Sequence, residues 1–232
     1  MKPALLLLPN LLAETKHHEP FLPQSVDKAV GSIDGLIAES VTAGRRYLGR
    51  FETVKDPRAI PIAVYADDAL DFLLEPIKKG ERWGFVSDAG LPCIADPGHK
   101  LVFRARQLGI AVQAFVGPSS ILLALMLSGL PGQRFSFLGY LPKERNELAD
   151  KLHDLSVQAK KERATQVWME APHRNQAMVE RCLETFSDKM LFAAVWEIGS
   201  TEQGLLCATV AEWKKLPLPN LKKKRAVFLL SC

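Results

Sequence analysis

The sequence predicts an α/β protein built from two α/β domains, and three observations lead to this expectation. Short apolar runs alternate with longer amphipathic stretches along nearly the whole chain, an order typical of mostly parallel sheets covered by helices. The 232 residues are enough for two domains of about 100 to 130 residues, each with its own core. Hydrophobic residues make up 47% of the chain and charged residues 24%, as in ordinary globular proteins.

The first half of the chain is predicted to alternate strands with helices. Five apolar runs have the length of buried strands: Ala4–Leu8, Gly35–Ala38, Pro61–Val64, Trp83–Ser87 and Ala111–Phe115. The stretches between them have helical periodicity: Gln24–Val30, Val41–Phe51, Asp67–Lys79 and His99–Leu108. In such sheets ligands bind beyond the carboxyl ends of the strands, so we expect the chemistry in the loops that follow the strands.

The second half has a different order of elements. Gly117 and Pro118 stop the preceding strand, and Ser119 or Ser120 is suited to cap a helix that runs to Leu127. Further strands are predicted at Phe135–Gly139, Thr165–Glu170, Met190–Val195, Gly204–Cys207 and Ala226–Ser231, with helices at Lys143–Ala159 and His173–Phe186. Because the last strands follow one another with little helix between them, this sheet is expected to be mixed. The predicted domains are an N-terminal α/β domain (1–116) with a mostly parallel sheet and a C-terminal α/β domain (117–232).

Composition argues against several classes of protein. The four cysteines include no C-x-x-C pair, which disfavours a structural zinc site or a disulfide framework. The first apolar run is too short for a signal peptide, and no run approaches the roughly 20 apolar residues of a membrane span. We therefore expect a cytoplasmic protein with no membrane partner and no bound metal.

Positive charge is concentrated in the second half. Up to Val116 the chain has 14 Lys and Arg against 14 Asp and Glu, and from Gly117 onward it has 16 against 12. This excess is compatible with an anionic partner but does not demonstrate one. The densest basic run, Lys222–Arg225, is interpreted first as a solvated loop before the last strand and only second as a nucleic-acid patch.

The loop after the fourth predicted strand is the most informative segment. Ser87–Gly98 reads S-D-A-G-L-P-C-I-A-D-P-G and lies between a strand and a helix. Its carboxylates, Asp88 and Asp96, suit a ligand with positive charge or hydroxyl donors rather than a phosphate. Asp96 is also suited to cap the helix predicted from Pro97 onward. An ordinary loop whose aspartates form turns and caps remains the alternative.

Four segments together resemble a known family. Ser87–Gly98 resembles the signature loop of the tetrapyrrole-methylase-like (class III) methyltransferases, and it is most similar to the branch that methylates a ribose 2′-hydroxyl of small-subunit ribosomal RNA. V-G-P-S-S-I (Val116–Ile121) is similar to the family's second ligand loop, and S-G-L-P-G-Q-R-F-S-F-L-G-Y-L-P (Ser128–Pro142) to the beginning of its second domain. E-A-P-H-R (Glu170–Arg174) resembles the family's E-[ST]-P-[HY]-R motif. Several motifs in a fixed order are far more specific than any one of them.

The resemblance implies a fold, a cofactor and partners. Members of the family have two α/β domains with S-adenosyl-L-methionine in the cleft between them, and they are typically homodimers. A sulfonium cation with an amino group and ribose hydroxyls suits carboxylate and carbonyl acceptors. Matched by motif, the cofactor-binding residues would be Pro9, Asp88, Ala89, Gly90, Leu91, Pro92, Ser119, Ser120 and Leu141.

Methyl transfer to a hydroxyl requires alignment of the acceptor and removal of its proton. Glu39, Glu170 and His173 are the candidates for this catalytic help. Arg45, Arg46 and Arg174 are the candidates for substrate binding, although exposed helix arginines and a lone histidine more often have structural roles.

Two segments depart from the family pattern. The chain has Glu39-Ser40-Val41-Thr42 where the family has E-D-T-R, and Pro9-Asn10-Leu11-Leu12 where the family has P-x-G-N. The sequence therefore leaves two alternatives to RNA methylation open. One is a methyltransferase of the same fold that acts on a small molecule such as a tetrapyrrole. The other is a degenerate member that binds cofactor or RNA without catalysis.

A histidine pair near the N-terminus is the last candidate for chemistry. His17 and His18 lie close to Glu14 and Glu19, but no ligand set with known spacing is present. We therefore interpret this region as a mobile polar loop rather than a metal cluster.

Overall fold

The chain forms two compact units, which divide between Ser119 and Ser120. This arrangement comes from a computed structural model that describes residues 2–15 and 17–232. The sequence places the division between Val116 and Gly117. Each unit contains one five-stranded sheet, so the predicted class of two α/β units is confirmed.

The first unit has a parallel sheet with a helix after each of its first four strands. Its elements are β1 (Ala4–Leu7), α1 (Gln24–Val30), β2 (Gly35–Ala38), α2 (Val41–Leu48), β3 (Ile62–Val64), α3 (Leu70–Lys78), β4 (Arg82–Phe85), α4 (His99–Gln107) and β5 (Val112–Ala114). The strands lie in the order β3-β2-β4-β1-β5, and all paired strands are parallel.

Both faces of the inner strands β1 and β2 are buried, which explains why these strands are apolar throughout rather than alternating. Leu6 of β1 and Leu36 of β2 are fully buried in the core that contains α1 and α2. Their chain neighbours Leu5 and Ile37 are fully buried in a second core that contains α3 and α4. Successive strand residues point to opposite faces, so α1 and α2 cover one face while α3 and α4 cover the other.

The strands β1 and β4 are neighbours in the sheet, but the chain leaves them in opposite directions along it. From β1 the chain crosses to β2, whereas from β4 it crosses the other way to β5. The two connections carry helices on opposite faces, so beyond the loops after β1 and β4 the chain continues toward opposite faces of the sheet. This is the position at which open α/β sheets bind ligands.

The second unit has a mixed sheet, as the sequence predicts. Its elements are α5 (Ser120–Ser128), β6 (Phe135–Tyr140), α6 (Arg145–Glu162), β7 (Thr165–Glu170), α7 (Asn175–Thr185), β8 (Leu191–Trp196), β9 (Gly204–Thr209), α8 (Val210–Trp213) and β10 (Ala226–Ser231). The order is β6-β7-β10-β8-β9. Only the β6–β7 pair is parallel, and the remaining pairs are antiparallel.

Aromatic side chains dominate the core of the second unit. The Trp168 ring stacks on Phe228 and Phe192, with centroid distances of 5.9 and 6.2 Å. Trp213 is fully buried, and its indole Nε1 donates a hydrogen bond to the backbone oxygen of Phe192 at 2.7 Å. These large rings join β7, β10 and β8 to the short helix α8.

The predicted elements agree with the structure except at particular ends. The bounds predicted for α1, β2, β7 and β10 are confirmed. The capping role expected for Asp96 is wrong: α4 begins at His99, and its N-cap is Gly98 without a side-chain cap. The helix expected from His173 begins instead at Asn175. Among the described residues, no helix is long and apolar enough to span a membrane.

One short helix, α8, has no counterpart in the sequence prediction. Its N-cap is Thr209, whose hydroxyl accepts a hydrogen bond from the Glu212 amide while the Glu212 carboxylate accepts one from the Thr209 amide. This capping box has a recognisable signature in the segment T-V-A-E, which could have indicated the helix.

Candidate functional site

The carboxyl edge of the first sheet brings three loops into contact. The backbone amide of Asn10, after β1, donates to the backbone oxygen of Gly90 at 2.7 Å, in the loop after β4. A Cβ placed on Gly117, after β5, would lie 2.1 Å from Cβ of Pro9. Because no side chain fits in that space, glycine is required where the loop after β5 meets the loop after β1. The predicted cofactor-binding residues of the first unit therefore lie on loops that share one edge.

Asn10 connects the first loop to the signature loop Ser87–Gly98. Its Nδ2 donates hydrogen bonds to the backbone oxygens of Ser87 and Asp88, both at 2.9 Å. Its Oδ1 accepts from the Leu11 amide at 2.8 Å and from Arg50 Nη1 at 2.9 Å. Both ends of the amide are thus occupied, which fixes its orientation. Asn10 is buried, and the sequence prediction omits it because it treats P-N-L-L only as a departure from P-x-G-N.

Three carboxylates gather at this edge. Glu39 follows β2, and its Oε1 accepts a hydrogen bond from the Asp88 amide at 2.9 Å. Burial, reinforced by the negative charges of Glu39 and Asp88, raises the pKa of Asp96 to about 6. A site in which neighbouring carboxylates raise the pKa of Asp96 favours a cationic ligand, because the ligand relieves the repulsion between the negative charges.

The backbone of the signature loop is unusual. Gly90 and Gly98 have φ angles of +68° and +121°, and the left-handed region also holds two residues with side chains, Cys93 and Ala95. A Cβ on Gly98 would lie 2.1 Å from the ring of Phe85, so glycine is required there. Left-handed backbone at non-glycine residues is costly and is concentrated at functional loops.

The only cysteine in the signature loop is poorly suited to nucleophilic chemistry. Burial raises the pKa of the Cys93 thiol to about 11, and the negative charge of Asp96 acts in the same direction. The thiol therefore stays protonated near neutral pH, where a nucleophile or metal ligand would need to be a thiolate.

In the second unit, four loops lie at one edge of the sheet. β10 is antiparallel to β7 and β8, and Ala226 at its start pairs with Glu170 and Trp196 at their ends. β6 is parallel to β7 and ends beside it. The loops after β6, β7 and β8 therefore share an edge with the loop before β10. The predicted residues of this unit at that edge are Leu141, Glu170, His173 and Arg174.

The carboxylate of Glu170 is buried and lies against Arg174. Its side chain is 1% exposed, and its Oε1 accepts from the Ala171 amide at 2.7 Å. Its Oε2 lies 3.2 Å from Arg174 Nη2, an ion pair rather than a well-directed hydrogen bond. Arg174 Nη2 also donates to the backbone oxygen of Pro142 at 2.9 Å. This arrangement fixes the guanidinium between the loops after β6 and β7, whereas His173 is exposed.

The two helix arginines expected to bind substrate have different surroundings. Arg45 Nη1 donates to the backbone oxygens of Pro57 and Ile60 at 2.8 and 2.6 Å, so its position serves to hold the chain before β3. Arg46 is exposed and pairs with the exposed Glu14 at 2.9 Å. Of the two, Arg46 is the better placed to meet an external anion.

The prediction that His17 and His18 lie in a mobile polar loop is wrong for His18. His18 is buried, its ring lies 4.3 Å from that of Phe51, and its Nε2 pairs with the carboxylate of Asp27. It anchors the segment before α1 instead of lying in a mobile polar loop. Exposed His17 lies 3.8 Å from Glu19. Within residues 2–15 and 17–232, no group of three or more His, Cys, Asp or Glu side chains is arranged to hold a metal.

Comparison with known proteins decides the family. Residues 14–214 match the family described as Tetrapyrrole (Corrin/Porphyrin) Methylases, which covers most of the chain. The chain belongs to the tetrapyrrole methylase family. These enzymes take their methyl group from S-adenosyl-L-methionine, so this tetrapyrrole methylase is an S-adenosylmethionine-dependent methyltransferase.

Two relatives of this tetrapyrrole methylase have the same name. The chain is 31% identical over 167 residues to ribosomal RNA small subunit methyltransferase I of Thermotoga maritima, a match that covers 72% of each protein. It is 32% identical over 195 residues to the protein of that name from Xylella fastidiosa, covering 84% of this chain and 70% of the relative. The resemblance read from the sequence is therefore confirmed.

Solved structures agree on the tetrapyrrole methylase fold. The structural alignment with the methyltransferase CobJ covers 98% of this chain and 93% of the CobJ chain, with a TM-score of 0.66 at 13% identity. Uroporphyrin-III C-methyltransferase from Thermus thermophilus, solved in complex with S-adenosyl homocysteine, covers 98% of this chain and 97% of its own, with a TM-score of 0.57 at 14% identity. At these identities the likeness concerns the fold.

Proposed function

We propose that this methyltransferase transfers the methyl group of S-adenosyl-L-methionine to a ribose 2′-hydroxyl of small-subunit ribosomal RNA. The observation that carries the proposal is the 31% identity to the Thermotoga maritima small-subunit methyltransferase over 72% of both chains. The loops that this sequence shares with that branch of the family include the acidic edge of the first unit.

The acidic edge of the first unit supports the placement of the cofactor. Asp88 and Asp96 would attract the sulfonium and ammonium charges of S-adenosyl-L-methionine, and Glu39 adds a third carboxylate. The hydroxyl of Ser87 is buried at the same edge and has no hydrogen-bond partner among the described residues. Buried polar atoms are normally partnered, so an orphaned hydroxyl here fits a ligand that completes it.

Further cofactor contacts are proposed by motif. Ala89, Gly90, Leu91 and Pro92 continue the signature loop after Asp88, and Pro9 lies on the loop that packs against it. Ser119, Ser120 and Leu141 complete the proposed set.

For the transfer itself, the cofactor supplies an electrophilic methyl group, and the protein must take a proton from the acceptor hydroxyl. Glu39 and His173 are the proposed proton acceptors. Glu170 is better suited to position Arg174, because its carboxylate is buried and bound by its own chain. Arg174 and Arg46 are the proposed contacts to RNA phosphates.

We also propose a cytoplasmic homodimer, in line with the family and with the prevalence of twofold symmetric assemblies. Light scattering at micromolar concentration should give about twice the 25.7 kDa of one chain. A particle of one chain's mass at that concentration would overturn the dimer.

The acceptor is tested by transfer of labelled methyl groups. Small ribosomal subunits and their naked RNA, both taken from cells that lack this protein, are incubated with the enzyme and labelled S-adenosyl-L-methionine. Label should enter the RNA at one nucleotide whose 3′ linkage resists alkaline hydrolysis, because a 2′-O-methyl group blocks that cleavage. If label appears on an added tetrapyrrole and on neither RNA sample, the methyl acceptor is a small molecule rather than RNA. Cofactor binding without label on any acceptor would favour a non-catalytic role.

A further inference from the structure

We infer that the loop Lys222–Arg225, which lies beside His173, forms the surface through which the second unit contacts the phosphates of its RNA substrate. The inference rests on the proposed function and deepens it, because it assigns the RNA to a particular surface of this chain. The sequence alone predicts a solvated loop at this position, and the contacts of the basic loop favour a more specific role.

The basic loop is attached to the segment that contains the proposed site residues. The Lys223 amide donates a hydrogen bond to the backbone oxygen of Pro172 at 3.2 Å. The side-chain amide of the buried Asn175 donates to the backbone oxygen of Lys224 at 2.5 Å. These bonds link residues about fifty positions apart in sequence on both sides of His173, so the lysines have a fixed place beside it.

The backbone of the loop is held in a costly conformation. Lys223 has a φ of +64°, in the left-handed region that residues with a side chain rarely adopt. A loop selected only for solubility has no need of such a conformation. The bond from Lys223 to Pro172 is one of the contacts that maintain it.

Only half of the positive charge in this loop is balanced by nearby acids. Lys224 lies 3.4 Å from Glu202, and Arg225 lies 2.9 Å from Glu197. Lys222 and Lys223 are exposed, and neither has an ion pair within the described part of the chain. Two uncompensated ammonium groups therefore remain at the surface.

The neighbouring site residues add no free negative charge to this edge. The carboxylate of Glu170 is buried and balanced by Arg174, while His173 is exposed and offers a hydrogen-bond donor. The surface next to the proposed proton acceptor is thus positive. Lysines act on phosphates as mobile point charges that release counterions without reading sequence. Such a surface suits the backbone of an RNA that must present one ribose to the site.

The test compares two double variants of the full-length protein. Lys222→Ala/Lys223→Ala removes the proposed contacts. Lys160→Ala/Lys161→Ala is the matched control, because these two lysines are also exposed but precede β7 and so lie at the opposite edge of the sheet. Binding of small-subunit RNA is measured over a series of salt concentrations, and S-adenosyl-L-methionine binding is measured for each protein.

Both variants should bind the cofactor like the wild type, since none of the four lysines belongs to the proposed set of cofactor contacts. In the Lys222→Ala/Lys223→Ala protein, the slope of log affinity against log salt should become shallower by about 1.5, from the loss of roughly 0.7 to 0.9 for each phosphate contact. The control should keep the wild-type slope. An unchanged salt slope in the Lys222→Ala/Lys223→Ala protein, or an equal change of slope in both variants, would contradict the proposed RNA-binding surface. It would not contradict the proposal that the protein methylates RNA. A wild type that binds cofactor but methylates no RNA would instead overturn the proposed function, and this surface with it.

Discussion

The side chain of Asn10 holds together the two loops that begin the proposed cofactor site. Replacing Asn10 with Asp would place a carboxylate oxygen against the backbone oxygens of Ser87 and Asp88, which now accept hydrogen bonds from Nδ2. We expect a loss of about 1–3 kcal/mol in the free energy of unfolding, measured by denaturant titration, because two buried acceptors lose their donor.

A matched control for this prediction is Asn146→Asp, an exposed asparagine in the first turn of α6. The same chemical change there should leave stability within about 0.5 kcal/mol of the wild type. Equal stability of both variants would mean that the Asn10 amide does not hold the loops.

Asp96 should make cofactor binding depend on pH. Its pKa is raised from 3.8 to about 6, so between these values the folded protein retains a proton that the unfolded chain has lost. The stability that this retained proton contributes to the folded state is fully present below pH 3.8 and is lost as the pH rises through about 6. A cationic ligand prefers the ionised carboxylate, so S-adenosyl-L-methionine should bind more weakly as the pH falls below about 6. The loss approaches about tenfold for each pH unit if only the ionised form binds.

Calorimetric titrations between pH 5 and pH 8 measure this dependence, and repeating them in buffers of different ionisation enthalpy counts the protons released on binding. Asp96→Asn should remove most of the pH dependence. If that variant shows the same dependence as the wild type, another group is responsible.

At this scale, the sequence indicated the type of each site residue better than its role. The carboxylates of the signature loop could be identified because their motif is specific. The role of Asn10 could not be predicted from the sequence, because it depends on hydrogen bonds to residues nearly 80 positions away. The burial of Glu170 against Arg174 is likewise a product of tertiary packing.

At the scale of elements, Gly117 determines how closely the loops after β1 and β5 approach. In Gly117→Ala the new Cβ would meet the Pro9 ring at 2.1 and 2.7 Å, and a proline ring has little freedom to move away. We expect a cost of about 1–3 kcal/mol in unfolding free energy, together with weaker cofactor binding.

Gly132→Ala provides the control for the Gly117 variant. The nearest atom to its new Cβ is 3.7 Å away in the Leu125 side chain, an ordinary contact. Its stability should stay within about 1 kcal/mol of the wild type and its cofactor affinity should be unchanged. Similar losses in both variants would show that close approach at Gly117 is not the cause.

Most elements could be predicted because their hydrophobic patterns are long or strongly apolar. The inner strands β1 and β2 of the first unit are buried on both faces and stand out as continuous apolar runs. The exceptions depend on a few local bonds. α8 has only four residues and relies on the capping box of Thr209 and Glu212, while α4 begins at His99 because Gly98 turns the chain with a positive φ.

At the scale of the whole molecule, the two units contribute different parts of the proposed function. The first unit carries the acidic edge, where the carboxylates of Glu39, Asp88 and Asp96 suit a cation. The second carries an edge with the exposed Lys222 and Lys223 of the basic loop, which suit an anion. This separation of charge matches a cationic cofactor and a polyanionic substrate.

The proposed binding of S-adenosyl-L-methionine at the acidic edge of the first unit is a claim that thermal unfolding with and without this ligand can test. With the ligand at 100 times its dissociation constant, binding to the folded state alone should stabilise the protein by about 2.7 kcal/mol and raise the melting temperature by several degrees. Asp88→Ala should lose most of that rise while melting like the wild type without ligand, because the Asp88 side chain is exposed. An unchanged melting curve at millimolar ligand, in wild-type protein freed of bound cofactor, would contradict the claim.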